Sequence, residues 1–287
     1  MIGVLPVDKP EGPTSHDIVA LARRGTGVRR VGHTGTLDPF ASGLLLLCMG
    51  RATRLAEYLH PLPKTYIAVA RIGQATTTDD RTGDVVSVSD GWRELSEAAV
   101  ADAFTGQQGA RLQVPPAFSA KKVDGERLYR RARRGEAVEI APAPVDIFRL
   151  EIRRMEIPEV EFEVECSAGT YVRAIARDAG EALGVGGHLS YLRRTRIGAF
   201  DVRKALDVEQ LDPEHAAHAL IAPLAALAHL PRVDIDDEAA QRIRHGGALL
   251  MADQPAGPLA LAHGGELVAV AEADGDHVRP KKVFVDA

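Results

Sequence analysis

The segment from residue 32 to residue 39 contains residue types that could hold a reactive carboxylate in a fixed place. It reads Gly-His-Thr-Gly-Thr-Leu-Asp-Pro, and its two glycines permit tight turns or the close approach of a ligand. Pro39 biases Asp38 toward an extended backbone, so this carboxylate belongs to a rigid loop rather than to a helix face. One interpretation is a catalytic aspartate beside the imidazole of His33, and the alternative is an ordinary Asp-Pro turn.

A second candidate site lies where a predicted strand passes into a predicted helix. Apolar and polar side chains alternate over residues 160–166, which predicts a half-buried strand. Apolar residues on one face then predict a helix that ends at Gly184. Tyr171 and Arg173 fall in its first turn, where ligands often bind. An arginine there is unfavourable for the helix dipole, which favours a specific partner over plain exposure to solvent.

Basic residues are clustered, although the net charge of the chain is −5. Residues 121–134 contain seven basic and two acidic side chains, residues 173–204 contain a second cluster, and residues 23–30 contain a third. An acidic protein can bind nucleic acid through such focused patches. The alternative is three unrelated solvated faces.

The surrounding patterns predict the elements that position these residues. Ser15 is predicted to cap a helix that runs to Arg24 and stops at Gly25. Residues 31–43 are predicted to form a loop and residues 53–59 a short helix. Strands are predicted over residues 44–49, 66–72 and 85–88, and, in a small β-rich C-terminal domain from about residue 227 to the end, over residues 259–262, 267–271 and 283–285. The segment 114–144, bounded by prolines and strongly basic, is predicted to be an inserted surface excursion.

Composition excludes several classes of protein. The chain has 287 residues, 45% of them hydrophobic and 26% charged, which is typical of a globular protein of one large or two modest domains. No apolar run is long enough to span a bilayer, and the first residues do not resemble a signal peptide. The two cysteines, Cys48 and Cys166, exclude a disulfide scaffold and favour a reduced, cytoplasmic protein. Asp234-Ile235-Asp236 is similar to a phosphatase Asp-x-Asp motif but lies too near the C-terminus to begin such a domain, and the His215 and His218 pair lacks nearby metal partners.

Residues 32–43 closely resemble the catalytic loop of the TruB-type tRNA pseudouridine synthases. Five other segments are similar to motifs of this family, in the same order: Asp8–Ser15, Lys64–Tyr66, Phe118–Lys122, Gly169–Arg173 and His188–Arg194. The C-terminal residues, including 279–284, resemble the family's small PUA-type RNA-binding domain with lower specificity. The resemblance implies an α+β pseudouridine synthase fold with a mixed, largely antiparallel sheet in residues 1–226, a basic thumb at 114–144, and a PUA-like domain at 227–287.

The resemblance also implies a reaction and a set of roles. The reaction is the isomerisation of uridine 55 in the T loop of tRNA to pseudouridine, with no metal or other cofactor. Asp38 matches the catalytic carboxylate, which could attack the sugar, attack the base or act as a general base. Arg173 matches the arginine that would pair with it, orient it and keep it ionised. The other matches are Tyr66, which would stack on the base, Tyr171 and Leu192, which would line the uridine pocket, His33, which would contact RNA, and Asp80, a supporting acid.

RNA recognition is expected to depend on shape, phosphate contacts and stacked bases. The residues expected to contact RNA phosphates are Lys121, Lys122, Arg127, Arg130 and Arg131 in the thumb, and Arg193 and Arg194 outside it. The partner is expected to be tRNA, with no membrane, no obligatory protein partner and a monomeric enzyme in the cytoplasm. Two alternatives remain open: a module that mainly helps tRNA to fold, and a guide-RNA-dependent synthase of the same superfamily. The short N-terminus and small C-terminal domain favour the stand-alone form.

Overall fold

The computed structural model describes residues 1–118, 122–123, 126–127, 134 and 140–284 of the chain. The strands are β1 (Gly3–Lys9), β2 (Val31–His33), β3 (Ser42–Met49), β4 (Lys64–Ile72), β5 (Gln74–Thr76), β6 (Val85–Val88), β7 (Gly109–Gln113), β8 (Lys122–Val123), β9 (Glu126–Arg127), β10 (Ala143–Glu156), β11 (Glu159–Cys166), β12 (Gly187–Ile197), β13 (Phe200–Asp201), β14 (Leu206–Asp207), β15 (Arg232–Asp234), β16 (Leu249–Leu250), β17 (Pro258–His263), β18 (Glu266–Asp274) and β19 (His277–Val283). The helices are α1 (Ser15–Thr26), α2 (Ala56–Leu59), α3 (Glu97–Thr105), α4 (Val172–Ala182), α5 (Pro213–Ala219), α6 (Pro223–Ala226) and α7 (Asp237–Arg244).

One large sheet forms the body of the molecule. Its strand order is β14-β1-β3-β12-β4-β11-β10-β7, with β2 and β13 paired at the sides of β3 and β12. The pairs β1–β14 and β3–β12 are parallel, whereas the other pairs in this sheet are antiparallel. The prediction of an α+β fold with a mixed, largely antiparallel sheet is therefore confirmed.

The strand β11 and the helix α4 follow the predicted pattern closely. Val160, Phe162, Val164 and Cys166 are buried along β11, while the intervening glutamates remain partly or largely exposed. Apolar side chains of α4, including Ile175 and Ala179, pack into the same core cluster. Because β11 lies next to β4, which lies next to β12, this packing brings α4 against the centre of the sheet.

The first helix differs from its prediction at both ends. Thr14, not Ser15, is the N-cap, and it forms a capping box with Asp17. The helix continues through Gly25 and ends with Gly27 in the left-handed region at φ 71°. A side chain at Gly25 would place Cβ only 1.6 Å from the Leu211 carbonyl oxygen, so this glycine permits close packing rather than ending the helix.

Two other local predictions also differ from the structure. The segment predicted as a loop over residues 31–43 contains β2, which adds to the edge of β3. The short helix predicted over residues 53–59 begins earlier as a 3-10 turn over Gly50–Leu55 and becomes α-helical only at α2.

Residues 232–283 contain a separate five-stranded sheet with the order β15-β17-β18-β19-β16. It has its own core around Leu261 and Val268 beneath α7, and it also packs against the main sheet through Leu267 and Val270. The Arg54 Nη1 atom donates a hydrogen bond to the Val283 carbonyl at 2.7 Å. The C-terminal sheet is thus held against the segment that follows β3.

Candidate functional site

Asp38 lies in the connection between β2 and β3, at the centre of the main sheet. The loop closes tightly, because Ala41 N–H donates to the Asp38 carbonyl at 3.1 Å. Gly43, at φ 106°, follows in β3, where an added Cβ would lie 2.2 Å from the Arg194 carbonyl. A side chain there would force β3 and β12 apart, so this glycine permits the close strand approach beside the Asp38 loop.

The N-terminal segment supports the Asp38 loop from both sides of the aspartate. Ser15 Oγ donates to the Leu37 carbonyl and accepts a hydrogen bond from Leu37 N–H at 2.9 Å. Gly12 N–H donates to the Pro39 carbonyl at 2.8 Å. The buried Lys9 Nζ donates to the carbonyls of Pro10 and Pro13 at 2.8 and 2.9 Å. Leu37 and Pro39, on either side of Asp38, are therefore fixed by the segment Asp8–Ser15, which resembles a family motif.

Arg173, near the start of α4, is the charged partner of Asp38. Its Nε atom lies 3.0 Å from Asp38 Oδ2, and its Nη2 atom donates to Asp38 Oδ1 at 3.4 Å. The Arg173 side chain is only 4% exposed, whereas that of Asp38 is 32% exposed. The carboxylate thus faces the open side of the pair, where a ligand can reach it.

Asp80 holds the other end of the same guanidinium. Arg173 Nη1 lies 3.3 Å from Asp80 Oδ2 and donates to the Thr78 carbonyl at 2.7 Å. Asp80 Oδ1 accepts hydrogen bonds from the hydroxyls of Thr78 and Thr82 and from Thr82 N–H. The supporting acid that the resemblance implied is therefore buried and fully bonded, so it orients Arg173 without contacting the open cavity.

Burial and charge act on Asp38 in opposite directions. Burial raises the pKa of the Asp38 carboxyl above its ordinary value, and the Arg173 guanidinium lowers it. The nearby Asp80 charge adds to the rise, so the net direction is upward. The sequence interpretation considered only the ionising effect of Arg173, because the burial of this loop depends on the tertiary structure.

A cavity of about 450 Å³ opens in front of Asp38. This volume lies within the usual range for small-ligand sites. Among the described residues that line it, Asp38 is the only acidic one. The lining residues are Gly35, Thr36, Leu37, Asp38, His60, Lys64, Tyr66, Pro115, Ala143, Ser167, Gly169, Thr170, Tyr171, Val172, Arg173, Leu192 and Arg194.

Tyr66, Tyr171 and Leu192 all line this cavity, as the sequence analysis expected of a uridine pocket. Tyr66 is 8% exposed and Leu192 is 4% exposed, and both also belong to the main core cluster. These two residues therefore pack in the core and also line the pocket. Burial raises the pKa of the Tyr66 phenol, so this lining side chain is neutral.

Two further side chains line the cavity with polar atoms that the sequence analysis did not assign. His60 Nδ1 lies 2.7 Å from the Thr34 carbonyl, so this nitrogen carries a proton and Nε2 is the other polar atom of the ring. Lys64 Nζ donates to the Leu62 carbonyl at 2.7 Å, and burial lowers the pKa of Lys64 to about 8. No local sequence pattern distinguishes His60 from an ordinary surface histidine.

His33 lies beside the loop but is not among the residues that line the cavity. Gly35 N–H donates to His33 Nδ1 at 3.3 Å, and the ring packs edge-on against His16 with centroids 5.8 Å apart. His33 is partly exposed. Its contact with RNA stays a prediction.

The two predicted RNA contacts on β12 have different environments. Arg194 is 2% exposed, and its Nε donates to the Leu44 carbonyl at 2.7 Å. We therefore reassign it from a phosphate contact at the surface to the wall of the cavity. The Arg193 side chain is 30% exposed and forms an ion pair with Asp8 at 2.5 Å, so part of its charge is already compensated.

The other five predicted RNA contacts belong to the thumb. Lys121, Arg130 and Arg131 lie outside the described residues. Lys122 and Arg127 are paired backbone positions in the β8–β9 hairpin, and their side chains are likewise outside the description. These five residues stay predictions from the charge pattern.

Other features of the sequence have ordinary structural roles. His215 Nδ1 lies 2.7 Å from Asp212 at the start of α5, and Asp236 caps α7. Within residues 1–118 and 140–284, no group of three His, Cys, Asp or Glu side chains could hold a metal ion. Cys48 and Cys166 are both buried thiols. Across the described part of the chain, none of the helices is both long and apolar enough to cross a membrane.

Two family models and several curated proteins match the sequence of this chain. The family model described as "TruB family pseudouridylate synthase (N terminal domain)" matches residues 23–172. A second, described as "tRNA pseudouridylate synthase B C-terminal domain", matches residues 173–227. A curated protein from Arthrobacter sp. (strain FB24), named tRNA pseudouridine synthase B, is 42% identical and covers 98% of this chain and 96% of its own length. The protein of the same name from Thermobifida fusca is 43% identical over 98% of both chains.

Solved structures share the fold at lower identity. A chain of the "Crystal Structure of a Cbf5-Nop10-Gar1 Complex" superposes with a TM-score of 0.77 at 28% identity, covering 99% of this chain and 85% of that one. A chain of the "Structure of H/ACA RNP bound to a substrate RNA containing 2'-deoxyuridine" superposes with a TM-score of 0.75 at 27% identity, with the same coverage.

Proposed function

The chain belongs to the TruB family of pseudouridylate synthases, and from this premise we propose that it isomerises uridine 55 in the T loop of tRNA with Asp38 as its catalytic residue. The observation that carries the assignment of Asp38 is its place in the cavity. It is the sole acidic group among the described lining residues, it is held by Arg173 at 3.0 Å, and its side chain is 32% exposed.

The cavity matches the needs of a uracil base that has left its stack. Tyr66 supplies an aromatic side chain and Leu192 an apolar one, and both line the cavity that contains Asp38. Enzymes that act on a nucleobase hold the extruded base by such stacking and apolar contacts. Gly169, Thr170 and Tyr171 also line the cavity, as does Arg173. These contacts support a flipped uridine with its glycosidic bond near the carboxylate.

The proposed reaction conserves the atoms of the nucleoside. The N1–C1′ bond breaks, the uracil turns, C5 bonds to C1′, the C5 proton passes to solvent and N1 acquires a proton. A carboxylate can assist by attack on the sugar, by attack on the base or by proton abstraction. In each version Asp38 must be ionised, and the two contacts from Arg173 hold it in one orientation.

We assign the chain to the stand-alone form of the enzyme, active as a monomer in the cytoplasm without a guide RNA or a protein partner. Three curated relatives named tRNA pseudouridine synthase B are 42–43% identical over 94% or more of their own length. The chains from ribonucleoprotein and Cbf5 complexes are 27–28% identical. The higher identity over nearly complete chains favours direct action on tRNA.

Tritium release tests this proposal directly. A tRNA transcript made with [5-³H]uridine is incubated with the purified protein alone, without a metal, guide RNA or partner. We expect about one equivalent of tritium from the wild-type protein, none from Asp38→Asn, and none from a transcript with cytidine at position 55. Retained activity of Asp38→Asn would overturn the catalytic assignment. Release from the position-55 variant transcript would overturn the assigned target, and dependence on an added guide RNA would overturn the stand-alone form.

A further inference from the structure

Gln113, at the end of β7, is a buried side chain that forms two hydrogen bonds with one residue of the cavity. It is 1% exposed. Its Oε1 atom accepts a hydrogen bond from Tyr171 N–H at 2.8 Å, and its Nε2 atom donates to the Tyr171 carbonyl at 3.2 Å. A single carboxamide thus satisfies both backbone polar groups of a residue that lies 58 positions away in the chain.

Tyr171 needs such a partner because it starts a helix without a side-chain cap. It is the N-cap residue of α4, and its own side chain forms no capping hydrogen bond. Gly169, two residues earlier, has a φ of 90°, and Thr170 N–H donates to the Ser167 carbonyl at 3.3 Å within the turn. The carboxamide of Gln113 adds a tertiary partner for both backbone polar groups of Tyr171 and so helps to fix the peptide from which α4 begins.

The residues that depend on this turn form one wall of the cavity. Tyr171 lines it, and Arg173, two residues further on, holds Asp38. The segment after Gln113 touches the same helix twice more: Val114 accepts from Arg177 Nη2 at 2.9 Å, and Phe118 accepts from Arg173 Nη2 at 3.0 Å. Residues 113–118 therefore contact the start of α4 at Tyr171, Arg173 and Arg177.

We propose that Gln113 is a positioning residue for the isomerisation: its carboxamide fixes the Tyr171 peptide, so that Arg173 meets Asp38 in the productive orientation. This inference rests on the proposed function. Displacements of about 1 Å in a catalytic arrangement can cost about 100-fold in rate. A single buried amide that determines where α4 starts is therefore placed to control kcat rather than the affinity for tRNA.

The test compares two buried glutamines that both contact α4. Gln107 is 7% exposed and donates to the Ile175 carbonyl at 3.0 Å, further from the cavity. Gln113→Met and Gln107→Met each replace a carboxamide side chain by an apolar side chain of similar shape. We expect Gln113→Met to lower kcat about 10- to 100-fold with KM and tRNA affinity within about threefold of wild type. Gln107→Met should lower the melting temperature while its kcat stays within about threefold of wild type.

A third variant separates hydrogen bonding from general packing. In Gln113→Glu, a protonated carboxyl can accept from Tyr171 N–H and donate to the Tyr171 carbonyl, whereas the ionised form can only accept. The ratio of its kcat to that of wild type should therefore rise as the pH falls from 8 to 5. The same ratio for Gln113→Met should not change with pH.

The outcomes are distinguishable from failure of the proposed function. If the wild-type protein releases no tritium from tRNA, the proposed function fails, and no variant is needed to show it. If the wild type is active, three results would overturn the role of Gln113: a kcat of Gln113→Met near that of wild type, an equal loss in Gln107→Met, or a pH-independent ratio for Gln113→Glu. The last measurement decides the question even if Gln113→Met fails to fold.

Discussion

Asp38 and Asp80 bind different sides of one buried guanidinium. Arg173 Nε lies 3.0 Å from Asp38, and its Nη1 lies 3.3 Å from Asp80. Asp80 is 5% exposed and Asp38 is 32% exposed. Of these two carboxylates, the buried one therefore anchors the arginine, and the more accessible one can meet a substrate.

Asp80→Asn should reduce the rate without abolishing binding. The substitution removes the charge that anchors Arg173 and leaves the threonine hydrogen bonds largely intact. Hydrogen bonds to charged groups contribute about 1.5–3 kcal/mol, so we expect kcat to fall about 10- to 100-fold while the Kd for tRNA stays near its wild-type value. Asp84→Asn, in the turn before β6, is the matched control. Equal kcat values for the two variants would contradict the anchoring role.

Arg173→Lys should be more severe, because one ammonium group cannot replace the guanidinium at all its partners. Arg173 contacts two carboxylates and the carbonyls of Thr78 and Phe118. We expect a loss of about 100-fold or more in kcat/KM, measured by tritium release. Arg177→Lys, one helical turn further along α4, should lower stability with a much smaller effect on rate. The reverse order of the two rate losses would refute this reading.

The pH profile should report the environment of Asp38. Burial raises its pKa above the ordinary value of 3.8, and catalysis uses the carboxylate. The ionised fraction therefore falls as the pH is lowered through this raised pKa, and kcat/KM should fall with it. In Arg173→Met, which lacks the charge that lowers this pKa, any residual activity should show its acid limb at higher pH. An acid limb at or below pH 3.8 in the wild-type protein would contradict the effect of burial.

Binding of tRNA should weaken steeply with salt if the basic segment contacts phosphates. Each neutralised phosphate contributes a slope of about −0.7 to −0.9 to a plot of log K against log salt concentration. Replacing Arg130 and Arg131 by glutamine should make the slope less steep by about 1 to 2. Arg149 and Arg153 on β10 pair with Glu151 and Glu163. Replacing these two arginines by glutamine is the charge-matched control. An unchanged slope would remove these two arginines from the RNA interface.

Gly25→Ala should destabilise the protein even though alanine favours helices. The new Cβ would lie 1.6 Å from the Leu211 carbonyl oxygen, so α1 would have to move. We expect the free energy of unfolding to fall by about 1–3 kcal/mol. Gly12→Ala, at a φ of 106° with open space around it, tests backbone strain alone. Urea denaturation of both variants would show whether packing dominates at Gly25.

The sequence by itself determined several central elements, among them β11 and α4, and the candidate catalytic residue. The alternation of β11 and the one-sided apolar pattern of α4 are local, so they could be predicted with the correct face buried. Asp38, Arg173, Tyr66, Tyr171 and Leu192 were found by resemblance to family motifs, and the structure brings all five to one cavity. These residues come from separate motifs, but each motif is short and contiguous.

Only the tertiary structure decided what each charged or polar side chain does. Arg194 belongs to a basic cluster in sequence but is buried, because its strand lies between β3 and β4 in the sheet. Gly25 marks a helix end by local rules but lies inside α1, where it meets Leu211. The partner of Gln113 is 58 residues away. Such pairings depend on strand order and on burial, which a linear pattern does not encode, so they were accessible only from the folded chain.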